Sequence, residues 1–207
     1  MPSDTADPQD VRFGDDVGSL VGRAVRISEG RAFVLFTSYG LMGRIYRKLA
    51  ADLTAAGLRP MKQGDEPRAT LLDRFRVTPK AVLFAVQSFW EGVDVPGDAL
   101  SLVILTRLPF KVPSEPIQEA RVEAIARAGG DPFAEYAVPQ AVIKFRQGFG
   151  RLIRTRRDRG VVLILDGRVV RKAYGRVFLG SLPEARVVVA PRDQALAEMR
   201  SFFAKPR

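Results

Sequence analysis

Four short, largely apolar runs constrain how this chain of 207 residues can fold. They span 31–36, 81–86, 100–106 and 161–165, and stretches with helical spacing of their apolar residues lie between them. Continuous apolar strands that alternate with helices are typical of a parallel sheet that is buried on both faces. We therefore predict an α/β fold in a single domain, with a parallel sheet covered by helices on both faces.

The two ends of the chain carry further signals. A last strand is predicted at 185–190 and a closing helix at 192–203. Residues 1–10 contain two Pro and three Asp, so we expect a flexible lead-in, followed by one domain over 11–207. No apolar run approaches the length of a membrane span, and the first residues lack the apolar core of a secretion signal. We therefore expect a cytoplasmic protein that makes no membrane contact.

The chain is strongly basic. Lys and Arg number 33 against 23 Asp and Glu, which gives a net charge of +10 and a pI near 10.5. Arg supplies 26 of the 33 basic residues, and its guanidinium is the better bidentate ligand for phosphate. The excess favours a polyanionic partner, with nucleic acid ahead of an anionic membrane. A bias in genomic base composition explains the excess of Arg equally well.

The chain contains neither Cys nor His. Disulfides, zinc–thiolate sites and iron–sulfur clusters held by thiolates are therefore excluded, and the commonest acid–base side chain is missing. No G-x-x-x-x-G-K-[ST] segment occurs, so the chain has no phosphate-cradling P-loop. Any chemistry must use carboxylates, Arg, Lys, hydroxyls or residues of a partner.

One acidic residue ends a predicted strand. Asp166 follows the apolar run that begins at Val161, as a magnesium-binding acid would. However, Gly167 occupies the place where a hydrolase of that type has a second acid. We therefore predict that Asp166 and Arg168 form a structural ion pair, and we predict no metal site in this chain.

A helix predicted over 138–155 has two distinct faces. Gln147, Arg151 and Arg154 fall within an arc of roughly 60° on one face. Apolar residues recur three and four apart on the opposite side, at Val142, Phe145, Phe149 and Leu152. The apolar stripe attaches the helix to the core, and two fixed guanidiniums suit the phosphates of a nucleotide. A solvated basic face on an amphipathic helix is an equally valid interpretation of this spacing.

Five motifs, in order, resemble the second motor lobe of DinG-type helicases, which are superfamily 2 DNA helicases related to XPD. The motifs are Phe36-Thr37-Ser38-Tyr39, Phe89-Trp90-Glu91-Gly92-Val93-Asp94-Val95-Pro96-Gly97, Leu108-Pro109-Phe110 with Pro113 and Pro116, the pattern Q-x-x-G-R-x-I-R at 147–154, and Leu165-Asp166-x-Arg168. The resemblance covers about residues 11–190 and implies a RecA-like lobe. The family's first lobe carries the P-loop and the magnesium-binding acids, and in many relatives an iron–sulfur insertion. This chain contains none of these.

The resemblance implies roles in nucleotide turnover. Arg151 and Arg154 match the arginine fingers, which neutralise charge on the γ-phosphate during hydrolysis and are typically worth about 10³–10⁵ in rate. Gln147 matches a residue that senses the nucleotide from the same helix. The loop that links nucleotide state to the grip on DNA is matched by Glu91, Gly92 and Asp94. For the two acids, loop capping or ion pairs with nearby arginines are the alternatives.

The resemblance also implies a contact with single-stranded DNA, made by Thr37, Ser38, Tyr39, Ser88, Phe89 and Trp90. Ser38 stands where a helix begins, so it is also predicted as an N-cap. The two roles are compatible, because the amino end of a helix binds phosphate. Phe89 and Trp90 can stack on bases, and packing beside the sheet is the alternative.

The resemblance as a whole implies the second motor lobe of an ATP-dependent DNA helicase that moves 5′→3′ and acts in repair or in removing obstructing structures. ATP is expected between two lobes, with Mg²⁺ held by the missing first lobe, which is supplied in cis or in trans. The chain alone is therefore expected to be inactive. The alternative is a non-catalytic, basic RecA-like module that binds nucleic acid or protein. Lack of His, Cys and a phosphate loop argues against a small-molecule enzyme.

Overall fold

The computed structural model describes residues 1–86, 89, 99–110, 116–150, 152 and 159–205. The strands in these ranges are Ala32–Phe36 (β1), Arg59–Lys62 (β2), Ala81–Val86 (β3), Leu102–Leu105 (β4) and Val161–Ile164 (β5). The helices are Phe13–Ile27 (α1), Tyr39–Ala55 (α2), Arg68–Val77 (α3), Pro116–Arg127 (α4), Val138–Phe149 (α5), Arg168–Arg171 (α6), Gly175–Gly180 (α7) and Arg192–Ala204 (α8), and a π-helical turn at Phe133–Ala137 precedes α5. None of the helices described here is both long and apolar enough to cross a membrane.

The strands form one parallel sheet in the order β2-β3-β1-β4-β5. β1 lies at its centre, where Val34 is aligned with Phe84 of β3 on one side and with Ile104 of β4 on the other. Every residue of β1, β3 and β4 is buried. Strands that are covered on both faces must be apolar throughout, and the predicted parallel sheet is confirmed.

Alternate residues of each strand enter two separate hydrophobic cores. Phe33 and Leu35 of β1 belong to the core that α3, α5 and α7 cover, whereas Val34 and Phe36 belong to the core that α1, α2 and α8 cover. Full burial of a Phe or Leu side chain stabilises the fold by about 1.5–3 kcal/mol. Helices therefore cover both faces of the sheet, as predicted.

The first ten residues differ from the flexible lead-in expected from their composition. The amino group of Met1 donates to the carbonyl of Val188 at 2.7 Å. The guanidinium of Arg192 donates to Asp4 at 2.8 Å and to Asp16 at 2.9 Å. These hydrogen bonds from Arg192 also lower the pKa of Asp16. Paired charges and main-chain bonds therefore hold the lead-in against the domain.

The segment 185–190 does not form the predicted strand. Ala190 makes an isolated parallel bridge with Pro2, and the rest of the segment has no strand pairing. Both this segment and β5 line a cleft of about 840 Å³. Main-chain groups of Val188 and Ala190 bond to Met1 and not to β5. The β-branched residues of the segment favour a strand locally, but its main-chain groups form hydrogen bonds with Met1 and Ser3 instead of with a strand.

The helix predicted over 138–155 ends earlier, at Phe149. Gly150 donates its N–H to the last helical turn at 2.8 Å, and Leu152 lies in a turn where its N–H donates to the Phe149 carbonyl at 3.0 Å. Phe145, Phe149 and Leu152 are all buried. The apolar stripe is therefore confirmed, although the helix that carries it is shorter than predicted.

Gly30 lies between α1 and β1, at the edge of the sheet where the parallel strands begin. Gly30 has a φ of +74°, and Glu29 and Arg31 beside it also have positive φ. A Cβ at Gly30 would lie 2.3 Å from the carbonyl oxygen of Lys80, which directly precedes β3. A side chain does not fit there unless the start of β3 moves, because the obstacle is backbone.

We expect Gly30→Ala to lower the free energy of unfolding by roughly 1–3 kcal/mol more than Gly57→Ala does. Gly57 has a similar φ of +77°, but no neighbouring atom lies within 4 Å of the place of its Cβ. Both substitutions carry the cost of a left-handed backbone, about 1 kcal/mol, so the difference isolates the contact with Lys80. Urea unfolding followed by circular dichroism measures it, and equal losses would contradict the steric argument.

Candidate functional site

The ends of the parallel strands bring polar side chains to one edge of the sheet, which we call the carboxyl edge. It is formed by residues that follow the strands, namely 37–39, Gln63, Phe89, 106–110 and 165–168. Ligands of parallel α/β sheets bind outside this end of the strands. The polar residues predicted after β1 and β5 are therefore found where a binding site is expected.

Ser38 caps α2 and leaves the amino end of this helix open to solvent. Its backbone is extended, with φ −146° and ψ 144°, and its hydroxyl accepts a hydrogen bond from the Leu41 N–H at 3.3 Å. Ser38 and Tyr39 are exposed, Thr37 is half-buried, and the first turn of α2 holds no acidic residue. The predicted N-cap is confirmed. A helix amino end whose first turn carries no acid can also bind phosphate.

Gln63 connects two parts of the carboxyl edge. It follows β2, and its N–H donates to the carbonyl of Phe84 at 2.9 Å. Its side-chain Oε1 accepts from the Val86 N–H at 2.8 Å, and its Nε2 donates to the Tyr39 hydroxyl at 3.0 Å. One side-chain amide therefore spans from the last residue of β3 to the first residue of α2.

Phe89 lies in a hydrophobic core and not at the surface. Only 2% of it is exposed, and it packs in the core that α3, α5 and α7 cover. The guanidinium of Arg68 lies over its ring, 5.3 Å from the centroid. This burial contradicts the prediction that Phe89 stacks on a base, because the ring would have to leave the core at a cost of about 1.5–3 kcal/mol. The packing alternative is correct for Phe89.

Asp166 is buried and accepts hydrogen bonds at both carboxylate oxygens. Arg168 donates from Nη2 to Oδ2 at 2.7 Å and from Nε to Oδ1 at 2.9 Å, and the Leu108 N–H donates to Oδ2 at 2.8 Å. Burial acts to lower the pKa of Arg168, but the hydrogen bonds to Asp166 outweigh it and raise that pKa. The predicted structural ion pair is confirmed. It fixes the loop after β4 to the end of β5.

Arg107 lies beside this pair and has no carboxylate partner within ion-pair distance in the described ranges. Its Nη2 donates to the carbonyl of Pro8 at 2.6 Å, and its guanidinium lies over the ring of Phe13, 4.7 Å from the centroid. Burial lowers the pKa of Arg107, and the positive charge of Arg168 lowers it further. A carbonyl and an aromatic face therefore hold this cation at the carboxyl edge.

Gln147 lies in the last turns of α5 and is half-buried. Its Oε1 is buried and has no hydrogen-bond partner within the described part of the chain. A buried acceptor without a donor costs the folded protein about 1–3 kcal/mol. A ligand that donates a hydrogen bond to Oε1 would remove this cost and bind more tightly. The other predicted residues, which lie outside the described ranges, are Ser88, Trp90, Glu91, Gly92, Asp94, Arg151 and Arg154.

Sequence reasoning misses two polar residues of the carboxyl edge, Gln63 and Arg107. Gln63 directly follows β2, and Arg107 is the second residue after β4. That position is the signal that finds them, because residues there face the site. The signal after β2 is weak, since this strand consists of only four residues and two of them are basic.

Comparison with known proteins gives a match to the helicase C-terminal domain over residues 21–185. The chain is 44% identical over 190 residues to the ATP-dependent DNA helicase YoaA of Escherichia coli (strain K12), which covers 92% of this chain and 29% of YoaA. It is 36% identical over 186 residues to the 3′-5′ exonuclease DinG of Bacillus subtilis (strain 168), which covers 89% of this chain and 20% of that protein. The chain thus spans less than a third of the length of these curated relatives.

A solved structure of an XPD helicase has the same fold. The two align with a TM-score of 0.66 at 18% sequence identity, over 87% of this chain and 33% of that chain. At this identity the likeness concerns the fold alone. It confirms the RecA-like architecture that the five motifs imply.

We expect Asp166→Asn to lower the free energy of unfolding by roughly 2–4 kcal/mol. The amide still accepts from Leu108 but leaves Arg168 without its counter-charge in a largely buried place. Glu123→Gln is the matched control, because it breaks an exposed ion pair with Arg127 on α4 and costs about 0.5 kcal/mol or less. Differential scanning calorimetry compares the variants. Similar losses in the two would show that Asp166 is not a structural anchor.

Proposed function

The chain belongs to the helicase C-terminal domain family, and we propose that it is the second motor lobe of an ATP-dependent DNA helicase. Its similarity to YoaA supports this proposal. The observation that carries it is the meeting of the start of α2 with the end of β3, which Gln63 joins at the carboxyl edge. The start of α2 is the proposed DNA contact, and the end of β3 precedes the proposed nucleotide-responsive residues. In this proposal, one lobe responds to both ligands.

The proposed nucleotide site is shared between two lobes. The first lobe, supplied in cis or in trans, holds ATP and Mg²⁺ with its P-loop and acids. This chain contributes Arg151 and Arg154, which neutralise the charge that develops on the γ-phosphate as water attacks it. Gln147 senses the nucleotide through its buried Oε1, which has no hydrogen-bond partner among the described residues. The loop that responds to nucleotide state is formed by Glu91, Gly92 and Asp94.

The proposed DNA track on this lobe begins at the amino end of α2. Thr37 and Ser38 bind a phosphate of the single strand, and Tyr39, which is 61% exposed, lies beside them. Ser88 and Trp90 continue the track after β3. The net charge of +10 supports a nucleic-acid partner. Closure and reopening of the two lobes move the strand stepwise, and the resemblance to DinG-type helicases favours 5′→3′ movement.

We expect this chain alone to hydrolyse no ATP, with or without single-stranded DNA, because the first lobe holds the nucleotide. Addition of the first lobe, as a separate protein or in one polypeptide, should restore an ATPase that single-stranded DNA stimulates. Phosphate release measures turnover, and anisotropy of a labelled oligonucleotide measures binding, which should weaken as salt rises. Hydrolysis by the isolated monomeric chain would contradict the shared site.

In the assembly with the first lobe, we expect Arg154→Ala to lower ATP turnover by about 10³–10⁵-fold, while single-stranded DNA still binds. Arg154→Lys keeps the charge but loses the planar fork of donors, so an arginine finger should lose turnover in both variants. Arg176→Ala removes one exposed positive charge from α7 and controls for net charge. Turnover retained in Arg154→Ala would refute the finger assignment. Full activity of Arg154→Lys would favour a basic module that needs only charge.

A further inference from the structure

The backbone at Gln63 is fixed from both sides. Its N–H continues the ladder between β2 and β3 by donating to Phe84 at 2.9 Å. Gly64 then turns the chain with a φ of +101°, a conformation that suits glycine. Lys62 and Asp65 form an ion pair of 2.7 Å across the same turn. The main chain around Gln63 therefore fixes the direction in which its side chain leaves the backbone.

The side chain of Gln63 takes over a main-chain role. If the parallel ladder continued, the Val86 N–H would donate to a backbone carbonyl of the neighbouring strand. Because the chain turns away at Gly64, Oε1 of Gln63 accepts this bond instead, at 2.8 Å. The other end of the same planar amide, Nε2, donates to the Tyr39 hydroxyl at 3.0 Å. The end of β3 is thereby tied to the start of α2.

The two ends of this connection have different proposed tasks. Tyr39 is exposed and follows Ser38, the cap of the helix start that is the proposed phosphate contact. Val86 is the last residue of β3, and the proposed nucleotide-responsive residues follow it in the sequence, within 87–98. A displacement of Val86 therefore acts on Tyr39 through the planar amide of Gln63 for as long as both hydrogen bonds hold.

We propose that Gln63 is a positioning residue that couples the single-strand contact at α2 to the nucleotide-responsive segment after β3. The inference rests on the proposed helicase function and names the group that carries its coupling. Gln63 sets the position of Tyr39 relative to Val86 and touches neither ligand. Coupling of two ligands is reciprocal and typically changes each affinity by about 5–150-fold. Loss of the Gln63 bonds should reduce this factor in both directions.

The test uses the helicase assembled from this chain and the first lobe, with three variants. Gln63→Met has a similar length and removes both hydrogen bonds. Gln63→Glu keeps one oxygen for the Val86 N–H and a second that accepts from the Tyr39 hydroxyl, so it is the conservative rescue. Gln194→Met makes the same chemical change at an exposed position of α8 and is the matched control.

The measurement is the Kd of a fluorescent single-stranded oligonucleotide with and without a non-hydrolysable ATP analogue. The unmodified assembly should show a ratio of about 5–150 between the two Kd values. Gln63→Met should bring this ratio to within about twofold of 1, and stimulation of the ATPase by DNA should fall in parallel. Gln63→Glu and Gln194→Met should keep the ratio of the unmodified assembly.

An unchanged ratio in Gln63→Met, together with a lower Tm, would show that Gln63 only ends β2 and would overturn the inference. If Gln63→Met does not fold, Tyr39→Phe decides, because it removes only the outer bond at an exposed residue. A reduced ratio then supports the inference, and an unchanged ratio overturns it. If the Tyr39 hydroxyl contacted DNA directly, Tyr39→Phe would raise both Kd values by the same factor and leave their ratio unchanged.

Failure of the proposed function gives a different pattern. An unmodified assembly that neither hydrolyses ATP nor changes its DNA affinity with the analogue removes the helicase proposal, and the inference falls with it. If the unmodified assembly and the Gln63→Met variant show the same ratio of Kd values, and this ratio differs from 1, the inference about Gln63 is wrong and the helicase proposal stands.

Discussion

The arrangement of this molecule depends on β1, which is hydrogen-bonded to a parallel strand on each side. Its register aligns Phe36 with Val86 of β3 and Leu35 with Leu105 of β4, so three central strands end at nearly the same level. α2 begins directly after β1, which places its amino end in the middle of the carboxyl edge. A slip of one residue would exchange the two cores. The same register that buries the core therefore also positions the candidate site.

The hydrophobic pattern was enough to predict the sheet, because a strand buried on both faces must be apolar at every position. The same kind of signal fails at 185–190. The main-chain groups of Val188 and Ala190 bond to Met1, which is 187 residues away from Val188 in the sequence. Local propensity cannot weigh such a distant competitor. These contacts also explain why the polar, Pro-containing start of the chain is held against the domain.

For the candidate site, residue type and position after a strand predicted location but not burial. A serine before helical spacing predicts Ser38 as a cap. Asp166 is predicted to pair with Arg168 because Gly167 stands where a magnesium site would need a second acid. The position of Phe89 suits a core ring and an exposed ring equally, and only the packing decides between them. The bonds of Gln63 join residues 23 and 24 positions away, and no periodic pattern encodes that distance.

The proposed sharing of the nucleotide site between two lobes explains why a helicase of this kind needs a coupling residue such as Gln63. In the proposed helicase, this chain offers arginines for a phosphate but has no phosphate-binding loop, so it acts only when a second lobe brings the nucleotide to it. Turnover on such a lobe is conditional on closure, and DNA can influence turnover only by shifting the energy of the closed state. In the proposed helicase, the amide of Gln63 supplies such a link, because it joins the helix start proposed to contact DNA to the strand end that precedes the proposed nucleotide-responsive residues. Gln63 is held in that place by the ladder on one side and by the Gly64 turn on the other, and under this proposal it transmits the position of the strand end to the helix start through two hydrogen bonds.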